Sequence, residues 1–401
     1  MASFSRRGRG LRQSSADVVS NSHENILQVE DDDSIEVTMV GAVNEPPSPP
    51  APPATDRRRF WPPDGRQIRL GALVLVLVLV ALVSVVALRR VQDPTIDELR
   101  RRAGWSDLQT LRIGVSGDVP YLSDCTAKPP TCSGFDIEIA RLVASWLGVR
   151  SSNIEFDRVL PEDRERMLGR SFVSNRAVHV DLVVAAFSIT RQRTDVDKVV
   201  FAGPYLNTQT TVLTRTDHAP VESLAGLNEP VVENGKSRPQ NVCTHGTTTS
   251  RDYLRQETTA AVTLRALNSD CVDLLLHHKV DAAVTDAAIL AGFQAEHPTE
   301  LRLNNIASTE DEHWGIGLGQ DFTGQDEKIQ ARKQLVLLAL NDLLTDPGQN
   351  GWKDAFDLLP PTAQDPSEDV QVVADDQQPT PWDLKPVRRW PWERSGSGSG
   401  R

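Results

Sequence analysis

From Leu70 to Leu88 the chain runs through nineteen uncharged, almost wholly aliphatic residues. At 1.5 Å per residue such a run crosses a hydrocarbon core of about 30 Å as one helix. Beyond it the hydrophobic period changes. Leu111 to Ser116 (LRIGVS) predicts a strand, and Phe135 to Leu147 an amphipathic helix, with Ile139, Leu142, Val143, Trp146 and Leu147 at helical spacing and Gly148 as its stop. Asp181 to Ser188 (DLVVAAFS) is an apolar run of the kind buried in a parallel sheet. The alternation then returns. Val242 to Thr244 predicts a short strand, a helix starts near Ser250, another lies around Cys271 to His277, and Asp281 to Thr285 forms a strand. Two blocks of strand, helix and strand predict α/β lobes with largely parallel sheets, and such sheets bind ligands in the loops at the carboxyl ends of their strands.

The polar stretches set the boundaries. Residues 1–68, with the acidic run Glu30 to Asp33 and the proline tract Pro46 to Pro53, read as a disordered cytoplasmic tail. Residues 69–89 form the transmembrane helix, 90–104 a juxtamembrane linker and 105–365 the folded region. From Pro366 the chain turns polar again, so 366–401 reads as a second disordered tail; Trp382, Trp390 and Trp392 among prolines make a docking segment the alternative.

A cleaved secretory signal is the rival reading of the apolar run, and Val85-Val86-Ala87 offers a loose cleavage site. Signal peptides have short leaders and apolar cores of about 7–15 residues. Here 68 residues precede a longer core, which favours a signal-anchor. Flanking charge does not set its orientation, since Arg57, Arg58, Arg59, Arg66 and Arg69 are matched by Arg89, Arg90, Arg100, Arg101 and Arg102. Cysteine usage decides instead. Cys125, Cys132, Cys243 and Cys271 all follow the helix, without CxxC or Cys/His spacing, so disulfides and an extracellular C-terminal region are expected. Cys125 with Cys132 would pin the short loop TAKPPT and leave Cys243 with Cys271, although spacing alone does not exclude the rival pairings. A net charge of −12 argues against nucleic acid as a partner.

Candidate chemistry concentrates in Ser188 to Tyr205 (SITRQRTDVDKVVFAGPY), which follows a buried strand. Ser188, Thr190 and Arg193 could converge on one small anion, since a guanidinium offers a planar fork matched to a carboxylate. Alternatively, Arg191, Arg193 and Lys198 are a solvated surface paired with Asp195 and Asp197. Thr247, Thr248 and Thr249 lie in a small-residue loop entering a helix, a natural anion seat or an ordinary cap by Thr249 or Ser250. Asp286 follows a strand and precedes AAILAGFQ, where it could cap that helix. The sequence contains no GxSxG, HExxH, P-loop or zinc spacing, and no cofactor or metal is expected.

The order of LRIGVSGDVPYL, GFDIEIARLVASWLG, DLVVAAFSITRQRTDVDKVVFAGPY, VCTHGTTTSRDYL and HKVDAAVTDAAIL resembles the amino-acid family of bacterial extracellular solute-binding proteins, in particular the actinobacterial glutamate-binding type. The resemblance spans about residues 105–360. It implies a two-lobed, type II periplasmic-binding-protein-like fold, with lobe 1 at about 105–208 and 315–360 and lobe 2 at about 209–314. The hinge would be two crossing strands, near Tyr205 to Arg215 and Ser308 to Leu318. It also implies that Arg193 holds the ligand's carboxylate beside Ser188 and Thr190, that Asp286 pairs with its α-ammonium, and that Thr247–Thr249 form the second lobe's carboxylate loop. Asp118 and Tyr121 would flank the ligand, and Cys243 would pair with Cys271. The family usually has an acidic residue immediately before the arginine; Gln192, preceded by Arg191, makes this field more positive and suits an acidic ligand.

The expected function is therefore binding without catalysis. An anchored protein would close over glutamate, aspartate or their amides at the cell surface and deliver the ligand to an ABC transporter. In a second version closure is signalled inward. An enzyme on the same fold, of dehydratase type, is the alternative from another class.

Overall fold

The structure is a computed structural model and describes residues 65–126, 131–233, 235–304, 306, 311–345, 351–360 and 378–388. Nearly all of the N-terminal tail, the stretches 366–377 and 389–401 with Trp390 and Trp392, most of the TAKPPT loop, and Ser308 lie outside the described residues.

Helix α1 (Gly65–Gln92) contains the aliphatic run, and its segment Gly65–Ala87 is long and apolar enough to cross a membrane. Leu70 to Val86 have no buried face, unlike the core helix of a water-soluble domain.

The supposed linker folds. Helix α2 (Ile96–Ala103) starts at Thr95, whose hydroxyl accepts the Glu98 N–H at 3.2 Å, and stops at Gly104 in the left-handed region at φ 71°. Its two buried residues, Leu99 and Ala103, are spaced i, i+4, too short a pattern to announce a helix by periodicity.

Lobe 1 is built on β1 (Leu111–Val115), followed by the small hairpin β2 (Asp118–Val119) and β3 (Ser123–Asp124). Helix α3 (Phe135–Trp146) buries Ile137, Ile139, Ala140 and Val143, and Gly148 at φ 87° allows the chain to turn out of it. Then come β4 (Ile154–Arg158), β5 (Leu168–Ser171), β6 (Ala177–His179) and β7 (Leu182–Val183). Strand β1 pairs in parallel with β4 and β7. Only two residues of the expected 181–188 strand are laddered; the rest runs on as a buried loop.

Strand β8 (Val199–Arg215) carries the chain from lobe 1 to lobe 2. There β9 (Val231–Glu233) and β10 (Lys236–Arg238) make a surface hairpin. Next follow β11 (Asn241–His245), α4 (Thr249–Glu257), β12 (Ala261–Arg265), α5 (Asn268–Leu276), β13 (Ala282–Asp286), α6 (Ala287–Glu296) and β14 (Leu301–Asn304). The parallel core of this lobe is β12-β11-β13, closed by antiparallel β8. Asp281 fastens the hairpin to it, accepting both Arg238 Nη atoms at 2.7 and 2.9 Å.

Strand β15 (Asp311–Gln320) returns to lobe 1 antiparallel to β8 and joins β7 there. These two long strands are the crossing pair. Helices α7 (Glu327–Thr345) and α8 (Gly351–Phe356) complete lobe 1, where Trp352 stacks on Phe356 with ring centroids 4.8 Å apart and donates its indole N–H to the Tyr205 carbonyl at 2.8 Å.

Residues 378–388 also depart from the expected disordered tail. They form a strap over lobe 1. Gln378 donates to the Leu344 carbonyl, Trp382 N–H to the Gly203 carbonyl, Gln334 to the Lys385 carbonyl and Arg388 N–H to the Pro94 carbonyl. Lys333 pairs with Asp383 at 2.9 Å, and the Trp382 ring meets His313 on β15 edge-on at 5.2 Å. Backbone hydrogen bonds to a preformed surface need no hydrophobic period, so composition alone reads as tail.

Cys125 is bonded to Cys132 and Cys243 to Cys271; the second pair ties β11 to α5.

Candidate functional site

The site grows out of the loop after β7. Ala186 turns through φ 47°, Phe187 and Ser188 stay buried, and Ser188 bridges to Trp314 on β15. At Gln192–Val196 the chain winds into one π-helical turn, and this turn buries Arg193. Thr190 shapes that turn: its hydroxyl accepts the Arg193 N–H at 3.2 Å, and its carbonyl accepts the Thr194 hydroxyl. The Arg193 guanidinium stacks 4.9 Å from the Phe187 ring centroid, donates to the Ser188 carbonyl at 2.7 Å, and reaches lobe 2 by donating to the Thr247 carbonyl at 3.2 Å. Burial pulls its pKa below the usual arginine value.

A second arginine, missed by the motif reading, stands beside it. Arg164 closes the short turn after Pro161–Asp163, is 6% exposed, and donates to the Ala186 carbonyl at 3.3 Å. Its Nε has no partner. Burial and the neighbouring Arg193 charge pull its pKa down to about 10, so it remains a cation at neutral pH. Among the described residues neither Arg164 nor Arg193 forms an ion pair.

Lobe 2 supplies Asp286. It sits at the N-cap position of α6 but makes no side-chain cap bond; its Oδ2 instead accepts the Trp314 indole N–H at 2.7 Å. Burial, reinforced by the Glu312 charge, pushes its pKa up to about 8. Thr248 is the N-cap residue of α4, and its hydroxyl donates to the His245 carbonyl at 3.4 Å. His245, at the end of β11, holds Nε2 2.7 Å from Asn268 Oδ1 and leaves Nδ1 without a partner; burial lowers its pKa.

Of the residues singled out in the sequence, Ser188, Arg193, Thr248, Thr249 and Asp286 surround one enclosed space, together with Arg164, His245 and Asn268. That space is about 10 Å³, no more than one water molecule occupies. Thr190 and Thr247 act through backbone and cap bonds at its edge. Asp118 does not line it but spans the cleft, accepting the Ser269 N–H at 3.1 Å and its hydroxyl at 3.3 Å. Tyr121 is 44% exposed, outside the enclosed space, and holds a left-handed turn at φ 62°.

A larger hollow, about 760 Å³, lies among α2, α7 and the strap. It lacks the convergence of buried charge seen between the lobes. No group of three or more His, Cys, Asp or Glu suited to a metal occurs among the described residues.

Among the described residues the lobes therefore close on two guanidiniums without an ion pair and one carboxylate, a donor set that can grip carboxylates and an ammonium. Glutamate-binding protein GluB of Corynebacterium glutamicum is 27% identical over 235 residues, covering 55% of this chain and 72% of that protein. GluB of Corynebacterium efficiens is 27% identical over 285 residues, covering 68% and 83%. Among solved structures, the cysteine-binding protein of Campylobacter jejuni superposes with a TM-score of 0.50 at 20% identity, covering 65% of this chain and 91% of its own, and it supports the fold. The family model for bacterial extracellular solute-binding proteins, family 3, matches residues 111–357, the stretch that forms both lobes, and the chain belongs to that family.

Proposed function

We propose that the two lobes close over an acidic amino acid, with Arg193 taking the α-carboxylate, Asp286 the α-ammonium and Arg164 the carboxylate of the side chain. The observation that carries this reading is the pair of buried guanidiniums, neither in an ion pair, facing one carboxylate across the same space. One carboxylate-bearing ligand neutralises one of them; a dicarboxylic ligand neutralises both. Burial strengthens these pairs, because unpaired charge in a low-dielectric cleft is costly. The names of the two GluB relatives point to the same ligand class. The Thr247–Thr249 loop at the start of α4 adds backbone donors for an anion.

We further propose that α1 anchors the chain in the cell membrane with the two-lobed domain outside, a reading supported by two disulfides and an unburied apolar helix. Delivery to an ABC transporter is the role favoured by family membership. Inward signalling is the second reading, and the strap bridging the crossing strands to Pro94 and Thr95 favours it.

The test is calorimetric titration of the oxidised full-length chain in detergent with the twenty amino acids. Saturable binding of glutamate or aspartate, abolished by Arg193→Ala and by Asp286→Ala and shifted toward the amides by Arg164→Gln, is the expected result. Turnover of a bound amino acid would instead reveal an enzyme, and silence across the panel would remove the acidic-ligand reading. Co-purification of a permease would count against the signalling version.

A further inference from the structure

One buried acid on the crossing strands has no role in the site as built so far. Glu312 lies on β15, is 3% exposed, and pairs in register with Thr208 on β8. Side chains alternate along a strand, so Glu312 leaves the same face as Trp314, two residues on. On that face Trp314 reaches Asp286, and the Thr208 hydroxyl accepts the Ala288 N–H at 3.4 Å. The side chain of His313, between them, leaves the opposite face toward Asn207 and Trp382. Glu312 is thus directed to the same side of the crossing strands as Asp286 and the first turn of α6.

Its surroundings ask for a cation. Glu312 Oε1 is buried and accepts no hydrogen bond, which is costly for a carboxylate oxygen. Among the described residues Glu312 forms no ion pair. Its charge is nevertheless close enough to be the leading charged influence on both Arg193 and Asp286. The hydrogen bonds of the nearby guanidiniums go to other groups: Arg193 to the Ser188 and Thr247 carbonyls, Arg164 to the Ala186 carbonyl. Two neighbouring carboxylates repel unless a positive group lies between them, and a compact ammonium with three donors can serve both.

We propose that Glu312 is a second acceptor for the ligand's ammonium, shared with Asp286, and that this pair makes the cleft select amino acids over dicarboxylic acids lacking an amine. The inference rests on the amino-acid reading above. It assigns the crossing strands a part in recognition as well as in closure, because Glu312 belongs to neither lobe's loops.

The test compares ligands that differ only in the amine: L-glutamate against glutarate, and L-aspartate against succinate, titrated into the oxidised full-length chain in detergent. Glu312→Gln keeps the side chain's size and hydrogen-bonding capacity while removing its charge. We expect it to weaken glutamate or aspartate at least tenfold while leaving the matching dicarboxylate unchanged or tighter, so that the preference for the amine collapses. Glu312→Asp, which withdraws the carboxylate, should fall between parent and Glu312→Gln. If Glu312 only supports the fold, amino acid and dicarboxylate weaken together and the preference is unchanged; that result overturns the proposal. If the parent binds neither amino acid, the functional reading fails first and the proposal falls with it. A parent that binds and a Glu312→Gln that retains full preference refute the proposal alone.

Discussion

Trp314 donates its indole N–H to Asp286 Oδ2 at 2.7 Å, so a crossing strand holds the carboxylate that heads α6. The bond takes Asp286 away from the capping role its sequence position suggests and, on the function proposed above, sets where a ligand ammonium would arrive. Trp314→Phe keeps the ring but deletes the donor and leaves Asp286 buried with one partner fewer. Loss of a hydrogen bond to a buried, potentially charged group costs about 1–3 kcal/mol. We expect roughly tenfold weaker amino-acid binding in calorimetry and a lower melting temperature for the ligand-free chain.

Gly292 on α6 faces Pro120 of lobe 1 so closely that a Cβ there would lie 2.3 Å from the Pro120 carbonyl oxygen. Each lobe can keep its internal packing if the two separate, so Gly292→Ala should hold the cleft ajar instead of unfolding it. The expected outcome is a larger radius of gyration in solution scattering and at least tenfold weaker ligand binding. A variant that closes fully on ligand would refute it.

Burial raises the carboxyls of Asp136 and Asp286 to about 7 and about 8, far above the unfolded value of about 3.9. The folded chain thus keeps two protons that the unfolded chain has released, so stability is lost as pH rises through these values. His245 has the opposite sign only below about 6.5, its ordinary value. Between pH 6.5 and 9 the ligand-free chain should lose on the order of a few kcal/mol, read as a falling denaturant midpoint. Asp136→Asn, which can still accept the Tyr205 hydroxyl bond now 2.9 Å long, should flatten that slope.

The two disulfides should differ in weight. Cys243–Cys271 closes a separation of 28 residues and Cys125–Cys132 one of 7. Loop entropy assigns them roughly 3–4 and roughly 2 kcal/mol. Removing the longer one by paired Cys→Ala substitution should lower the melting temperature more, and it should loosen His245 and Asn268, which flank its ends in the cleft.

A chain ending at residue 365 loses the Trp382–Gly203, Gln334–Lys385 and Arg388–Pro94 bonds together with the Lys333–Asp383 pair. At about 1 kcal/mol per hydrogen bond it should be destabilised by roughly 2–3 kcal/mol. Thermal denaturation of truncated and full-length chains checks this.

What could be read from sequence followed from order and period. The parallel strands, α3 with its Gly148 stop and the α4 and α6 starts are carried by apolar spacing, and Ser188, Arg193 and Asp286 by motif order. Arg164 and Glu312 could not be read that way. Each sits among other charges, in PEDRERML and STEDEHWG, where pattern predicts solvent, and their burial depends on lobe closure that no local spacing encodes. Helix α2 did carry a signal: Thr95 and Glu98 are spaced as a capping box, yet the adjoining arginines read as membrane flank. Asp118 was legible as a cleft residue but not as the acceptor of a bond from Ser269 in the opposite lobe.

Thr95 and Arg388 pair as neighbours, so the strap ends beside the start of α2 at one spot on lobe 1. Among the described residues lobe 2 is carried by the crossing strands, like a jaw on its joint. If α1 is the anchor proposed above, a pull along it would reach lobe 1 first and lobe 2 through the joint on which Trp382 rests.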